Sequence, residues 1–247
     1  MITLGIDPSL TGFGWCVHDS AALGVKRILA SGVISTRSSE VYVTRYIALR
    51  STLAALLDHY PVEAVGVESP PYGELFSEGL YALFVYVNEA IYVSRKNVVY
   101  FDPSTLKMLA KMDPKIRRGA MDKPDMVAAA KAEVGVKLNH NIADAYIIGR
   151  SAARFWELDS GVLTQDELTP AELRSFSRTH TFSKGHRAGQ TVRDGLIFRE
   201  NDRFFKFSQR PLQVDEEEYR IWLCQKGSKV LTQKAGVAPP AKKPKRK

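Results

Sequence analysis

Three acidic residues stand where a carboxylate is costly to bury. Asp7 ends the apolar run Ile2-Thr3-Leu4-Gly5-Ile6 and is followed by Pro8, Ser9 and Gly12. Glu68 ends a second run, Ala64-Val65-Gly66-Val67, and is followed by Ser69-Pro70-Pro71. Apolar runs of this length, bounded by turn formers, are predicted to be buried strands. Asp144 lies one turn into the apolar helical pattern Ile142-Ala143-Asp144-Ala145-Tyr146-Ile147-Ile148-Gly149, and Asn141 or His140 sits one turn before it on nearly the same face. Alone, an Asp before Pro-Ser can simply cap a turn. Converging from two strand ends and one helix, the three would repel one another unless cations lay among them. Hard oxygen ligands suit Mg²⁺. Two such ions roughly 3.5–4 Å apart can stabilise the attacking and leaving oxygens of a phosphodiester hydrolysis. No Ser/His/Asp arrangement competes, because the five histidines are scattered and no nucleophile-elbow serine occurs.

The elements that would position these acids follow from periodicity. After Asp7, residues 13–17 and 26–34 read as two further strands, and short turns make all three antiparallel neighbours. Ser38-Ser39 supplies an N-cap for a helix whose face carries Tyr46, Leu49, Leu53, Leu56, Leu57 and Tyr60, ended by Pro61. Then come the Glu68 strand, a helix marked by Leu80, Leu83, Phe84, Val87 and Ile91, and a fifth strand over 98–101. A short helix carries Leu106, Leu109 and Met112, Pro124 opens another through Glu133, and the Asp144 helix runs to about Trp156. The fold class expected is α/β, a mixed five-stranded sheet flanked by helices. Residues 1–157 make the core domain and 158–232 an accessory extension of unknown role. Within the extension, 168–172 can open a short helix, 191–198 and 203–208 alternate as a hairpin, and 215–224 reads as a helix with Tyr219, Trp222 and Leu223 on one face. The Lys- and Pro-rich residues 233–247 form a basic tail that cannot bury anything and is expected to be disordered.

A net charge of +8 over 247 residues points to a polyanionic partner, nucleic acid first. The two cysteines, Cys16 and Cys224, have no metal-ligand spacing and suit a reducing compartment. Nothing approaches the roughly 20 apolar residues of a membrane span, and no basic n-region precedes the first strand. A soluble protein of the bacterial or phage-infected host cytosol is expected, with no membrane partner.

With these residues in view, Leu4-Gly5-Ile6-Asp7-Pro8 with Gly12 and Gly14-Trp15, Val67-Glu68, and Ala143-Asp144-Ala145 resemble the RuvC family of Holliday-junction resolvases, in the ribonuclease H-like superfamily. The likeness spans about residues 1–156 and includes element order. It implies a homodimeric endonuclease that cuts four-way and related branched DNA, using two Mg²⁺ (or Mn²⁺) ions per site. Asp7, Glu68 and Asp144 match three of four catalytic, metal-binding positions of that family. The fourth is Asn141 here, whose amide oxygen can ligate a metal but brings no charge and cannot act as a base. His140 is the alternative ligand.

The resemblance also implies DNA contacts by Lys107 and Lys123 near the scissile phosphate, with Arg117 and Arg118 on the same basic segment. Solvated surface is the lesser alternative for Lys107 and Lys123. Tyr72 is the candidate for stacking on bases at the junction centre, or for packing locally. The 80–91 helix is where the family dimerises; it can also pack on its own sheet. The extension and Asn141 fit a divergent, phage-type member. Three other functions stay open: a junction-binding protein with a weakened nuclease site, an RNA–DNA hybrid nuclease of the same superfamily, and a sugar-kinase-like ATPase. The last also has a Gly-Ile-Asp strand end, but here it lacks the second phosphate loop.

Overall fold

Tight turns after Asp7 and Asp19 fold the N-terminal chain back on itself twice. In the structure, a computed structural model, β1 (Ile2–Asp7), β2 (Phe13–Asp19) and β3 (Ile28–Ile34) form the expected antiparallel meander. The third strand starts later than its apolar pattern suggests, because Gly24–Arg27 wind into a 3-10 turn first. The structure describes residues 1–70, 77–112 and 123–176, and from there 179–181, 185, 191–193, 196–200 and 203–206.

From β3 the chain crosses through α1 (Tyr42–His59) to β4 (Ala64–Glu68), which pairs in parallel with β1, Ile6 opposite Val67. A second crossover, α2 (Glu78–Val93), leads to β5 (Asn97–Phe101), parallel to β4. The Ser77 hydroxyl accepts from Leu80 N to cap α2. The cap expected from Ser38-Ser39 is not used. Helix α1 begins at Tyr42 after Val41, without a side-chain cap. Its apolar face, Leu49, Leu53 and Leu57, is fully covered against the sheet and α2, so burial rather than capping holds it.

Three helices then cover the other face. They are α3 (Pro103–Lys111), α4 (Lys123–Val134) and α5 (His140–Asp159). Helix α5 buries Ala143, Ala145, Tyr146, Ile147, Ile148, Ala152 and Phe155. It lies so close to the sheet that a Cβ on Gly5 of β1 would meet the Ala145 carbonyl oxygen at 1.9 Å and the Gly149 nitrogen at 2.4 Å. A helix-interior glycine such as Gly149 costs about 1 kcal/mol relative to alanine. Here that cost permits backbone-to-backbone contact, sealed by Thr3 Oγ1 donating to the Gly149 carbonyl at 2.8 Å.

The sheet is wider than the five strands expected. After α6 (Pro170–Phe176), β6 (Thr179–Thr181) and β7 (Thr191–Arg193) pair separately, while β8 (Ile197–Glu200) and β9 (Arg203–Lys206) form a hairpin. Strand β8 adds antiparallel to β5, giving the order β3-β2-β1-β4-β5-β8-β9. The hairpin is therefore shorter than its sequence pattern, because residues 191–193 pair with 179–181 instead. An uncovered β5 would present a row of free backbone groups. Phe198 fills in beside Phe155 and Trp156 at ring separations of 5.2 and 5.6 Å. All described residues fall in one compact unit, Met1–Gln209. The helix expected over 215–224 and the basic tail lie outside the described residues. No helix among the described residues is long and apolar enough to cross a membrane.

Gly5→Ala is expected to force α5 off β1 and to cost about 3 kcal/mol or more, read as a lower urea midpoint for the purified protein.

Candidate active site

Parallel pairing of β1 and β4 puts their last residues, Asp7 and Glu68, side by side at one end of the sheet. Helix α5 starts over that end. Asn139 caps it, accepting from Asn141 N at 2.9 Å, so Asp144 falls in the second turn, facing the two strand ends. The Gly5–Gly149 contact and the Thr3 hydrogen bond fix how far along the sheet the helix sits. The three acids whose spacing suggested shared cations are thus brought together.

Their electrostatics are those of a crowded, shielded cluster. Burial pushes the Asp7 carboxyl up to about 7; the Asp144 charge pushes the same way and Lys123 opposes. Burial likewise raises Glu68 to about 8, reinforced by Asp7 and Asp144 and opposed by Lys107. Asp144 is also raised by burial, with His140, Lys123 and Lys107 pulling it down. Lys107 and Lys123, one from α3 and one from the start of α4, therefore flank the acids.

Both lysines are carried on helices tied to α5. Arg150 bonds to Glu133 of α4 and donates to the Leu109 carbonyl of α3 at 2.8 Å. Asp102 caps α3, accepting from Ser104 N and Thr105 N at 3.0 Å each. It also adds to the negative charge felt by Glu68. Sequence reading passed over Asp102, although Asp-Pro at a helix start is a recognisable N-cap followed by proline at N1. A pocket of about 220 Å³ opens beside Asp7 and Glu68, walled by Pro8, Pro70, Leu80 and Phe84. No sequence signal marked it, since its walls come from three separate elements.

The fourth position divides between its two candidates. Asn141 packs on the β1–β2 turn, where a Cβ on Gly12 would meet its amide nitrogen at 2.7 Å and one on Gly14 its carbonyl oxygen at 2.3 Å. His140 is the neighbour whose charge bears on Asp144. Tyr72, Arg117 and Arg118 lie outside the described residues.

Comparison with known proteins narrows the fold. No family model matches the chain. Crossover junction endodeoxyribonuclease RuvC of Rickettsia felis is 39% identical over 70 residues, 28% of this chain and 43% of that protein. The Rickettsia conorii protein of the same name is 38% identical over 68 residues, again 43% of its length. The chain thus spans less than half the length of the curated relatives it matches. The structure of Thermus thermophilus RuvC superposes with a TM-score of 0.54 at 21% identity, over 64% of this chain and 97% of that one. A second structure, of the same protein in complex with a Holliday junction substrate, gives 0.53 at 19% identity, over 64% and 96%.

The chain has the RuvC fold. Nearly all of the Thermus RuvC chain is accounted for by 64% of this one, so about a third of this chain has no counterpart there.

Within that fold, Asp7, Glu68 and Asp144 are the residues that could hold divalent cations. Among the described residues, no three His, Cys, Asp or Glu side chains are gathered tightly enough to ligate one ion as they stand. The donor chemistry nevertheless fits. All three are hard carboxylate ligands, and Asp144 Oδ1 is buried without a hydrogen-bond partner among the described residues.

Raised carboxyl values have a definite consequence for stability. The folded protein holds protons on Asp7 and Glu68 more tightly than the unfolded chain does, so this contribution is full below about pH 4 and is lost as pH rises through about 7 to 8. Chemical denaturation in a chelator at pH 5 and pH 8 is expected to show the loss. Asp7→Asn is expected to recover on the order of 2 kcal/mol of it at pH 8, and equal stabilities of variant and parent there would refute the crowding.

Proposed function

We propose that the chain is a divalent-metal-dependent endodeoxyribonuclease that cuts four-way and related branched DNA by paired phosphodiester hydrolysis. One observation carries this reading. At the end of β1 and β4 in a RuvC-type sheet, burial raises the carboxyl values of three neighbouring acids, with Asp144 adding to the rise at Asp7 and both aspartates adding to it at Glu68, and two lysines from separate helices flank them. A structural ion pair would lower carboxyl values instead. The names of the Rickettsia relatives and the Thermus junction complex point to the substrate class.

Asp7, Glu68 and Asp144 would hold the cations, with Asn141 or His140 completing the set. Mg²⁺ or Mn²⁺ held there, two per site, would supply positive charge for the attacking and leaving oxygens of the scissile phosphate. Lys107 and Lys123 neutralise phosphate charge on either side of the acids. Tyr72 is proposed to stack on an unpaired base, and Arg117 and Arg118 to contact the backbone. Hydrolysis leaves 5′-phosphate and 3′-hydroxyl ends.

Paired cutting needs two sites. Helix α2 presents Tyr81, Val85 and Tyr92, each about half exposed, and α1 presents Tyr42, Val43 and Ile47. The two helices are joined by the Tyr46–Tyr86 stack and by Arg50 bonding to Glu89. Such an apolar face suits a symmetric homodimer.

On a synthetic four-way junction with Mg²⁺, the parent protein is expected to cut and Asp7→Asn to bind without cutting. Chelation should stop cleavage and added Mg²⁺ restore it. Equal cutting by Asp7→Asn would end this reading. Val85→Asp is expected to yield monomers in sedimentation and to replace paired cuts with single nicks, since the side chain it changes is exposed and leaves the core intact.

A further inference from the structure

Beside the carboxylates, α4 and the first turn of α5 border an open groove of about 660 Å³. Clefts that hold ligands have volumes of roughly 300–1,000 Å³. Lys123, Lys131, Lys137 and His140 line this one around Val127 and Leu138, and no acidic residue is among its described lining. Lys131 and Lys137 are exposed, and among the described residues neither joins an ion pair.

Two features separate this groove from an ordinary solvated face. It begins at the acids, because Lys123 and His140 are the same groups whose charges bear on Asp144. It also runs along one side of a helix. Lys123, Val127 and Lys131 are four residues apart in turn, so the outer lysines originate roughly 12 Å from each other along α4. Laid along a duplex axis, that length spans about three successive phosphates of one strand at about 3.4 Å of axis each. Ammonium groups at the rim would meet phosphates, while lysine stems and the Val127–Leu138 floor meet deoxyribose carbons.

We propose that this groove is a second polynucleotide-binding surface, continuous with the carboxylates, that holds the sugar–phosphate backbone of the DNA strand leaving the cutting site. It rests on the reading of that site as a nuclease. Lys131 and Lys137 are its defining residues: they touch backbone, not the reacting phosphate, and contribute affinity without sequence preference.

The test uses the full chain, a synthetic four-way junction with fluorescent arms, and anisotropy titrations at several salt concentrations. Charge reversal at both positions, Lys131→Glu with Lys137→Glu, is expected to weaken binding at least tenfold. The slope of log affinity against log salt should become shallower by about 2. The paired change Lys131→Arg with Lys137→Arg should keep parental affinity and slope. Melting temperature should match the parent in both variants. Unchanged affinity and slope in a folded charge-reversal variant would overturn the proposal and leave the groove to another acidic partner or to solvent. A parent protein that binds with the lysine-dependent slope yet never cuts would sink the nuclease reading while upholding the groove.

Discussion

The structure depends on how closely α5 can lie against β1. Gly5 and Gly149 remove the side chains that would hold helix and strand apart, and the Thr3 hydroxyl reaches the Gly149 carbonyl across the gap. This contact sets both the height and the axial position of α5. Asp144, little more than one turn before Gly149, is thereby placed over the ends of β1 and β4. A helix shifted by one turn, about 5.4 Å, would leave Asp144 either over the apolar strand interior or out in solvent. The contact is made of backbone, so it is stiff in a way that a side-chain contact at the same place would not be.

Around that contact, electrostatics and packing pull in opposite directions. Burying Asp7, Glu68 and Asp144 together raises each of them, so the folded state carries a local strain that hydrophobic burial elsewhere offsets. The surrounding cations are held by a different device. Arg150, almost fully buried, bonds to Glu133 of α4 and to the Leu109 carbonyl of α3, and Arg27 approaches the same glutamate at 3.7 Å. One paired network thus orients the two helices that carry Lys107 and Lys123. The lysines themselves stay partly or fully exposed.

At the far side of the sheet, the described residues beyond α5 pack on the core. Phe176 packs on Phe155 at 5.7 Å, Phe198 on Phe155 and Trp156, and Arg199 lies over the Tyr92 ring at 5.1 Å while donating to the Lys96 carbonyl. The Arg199 contacts fasten β8 to the end of α2 and to the β5 edge together. A sheet closed on this side by β8 and β9 differs from one ending at β5, and the aromatic cluster supplies the apolar burial that a short added hairpin needs.

Much of this was legible in the sequence because it is local. Apolar runs ending on Asp7 and Glu68 gave strands with an acid at the last residue, helical periodicity gave α1, α2 and α5, and the order of elements gave a mixed sheet flanked by helices. Local patterns misled where two solutions are locally similar, as at the Ser38-Ser39 cap and the start of β3. They were silent where contacts cross the chain. Whether Asn141 or His140 faces Asp144 depends on a helix phase set by the Asn139 cap and by the Gly12–Gly14 turn. The addition of β8 to β5 depends on aromatic residues about forty positions apart meeting, and the lysine groove on α4 lying against the first turn of α5. Residue types and short spacings declare which groups a chain possesses, since periodicity is a property of neighbours. Which groups face one another across the molecule is decided only when distant segments pack, because that choice rests on excluded volume and charge at separations that no short window contains.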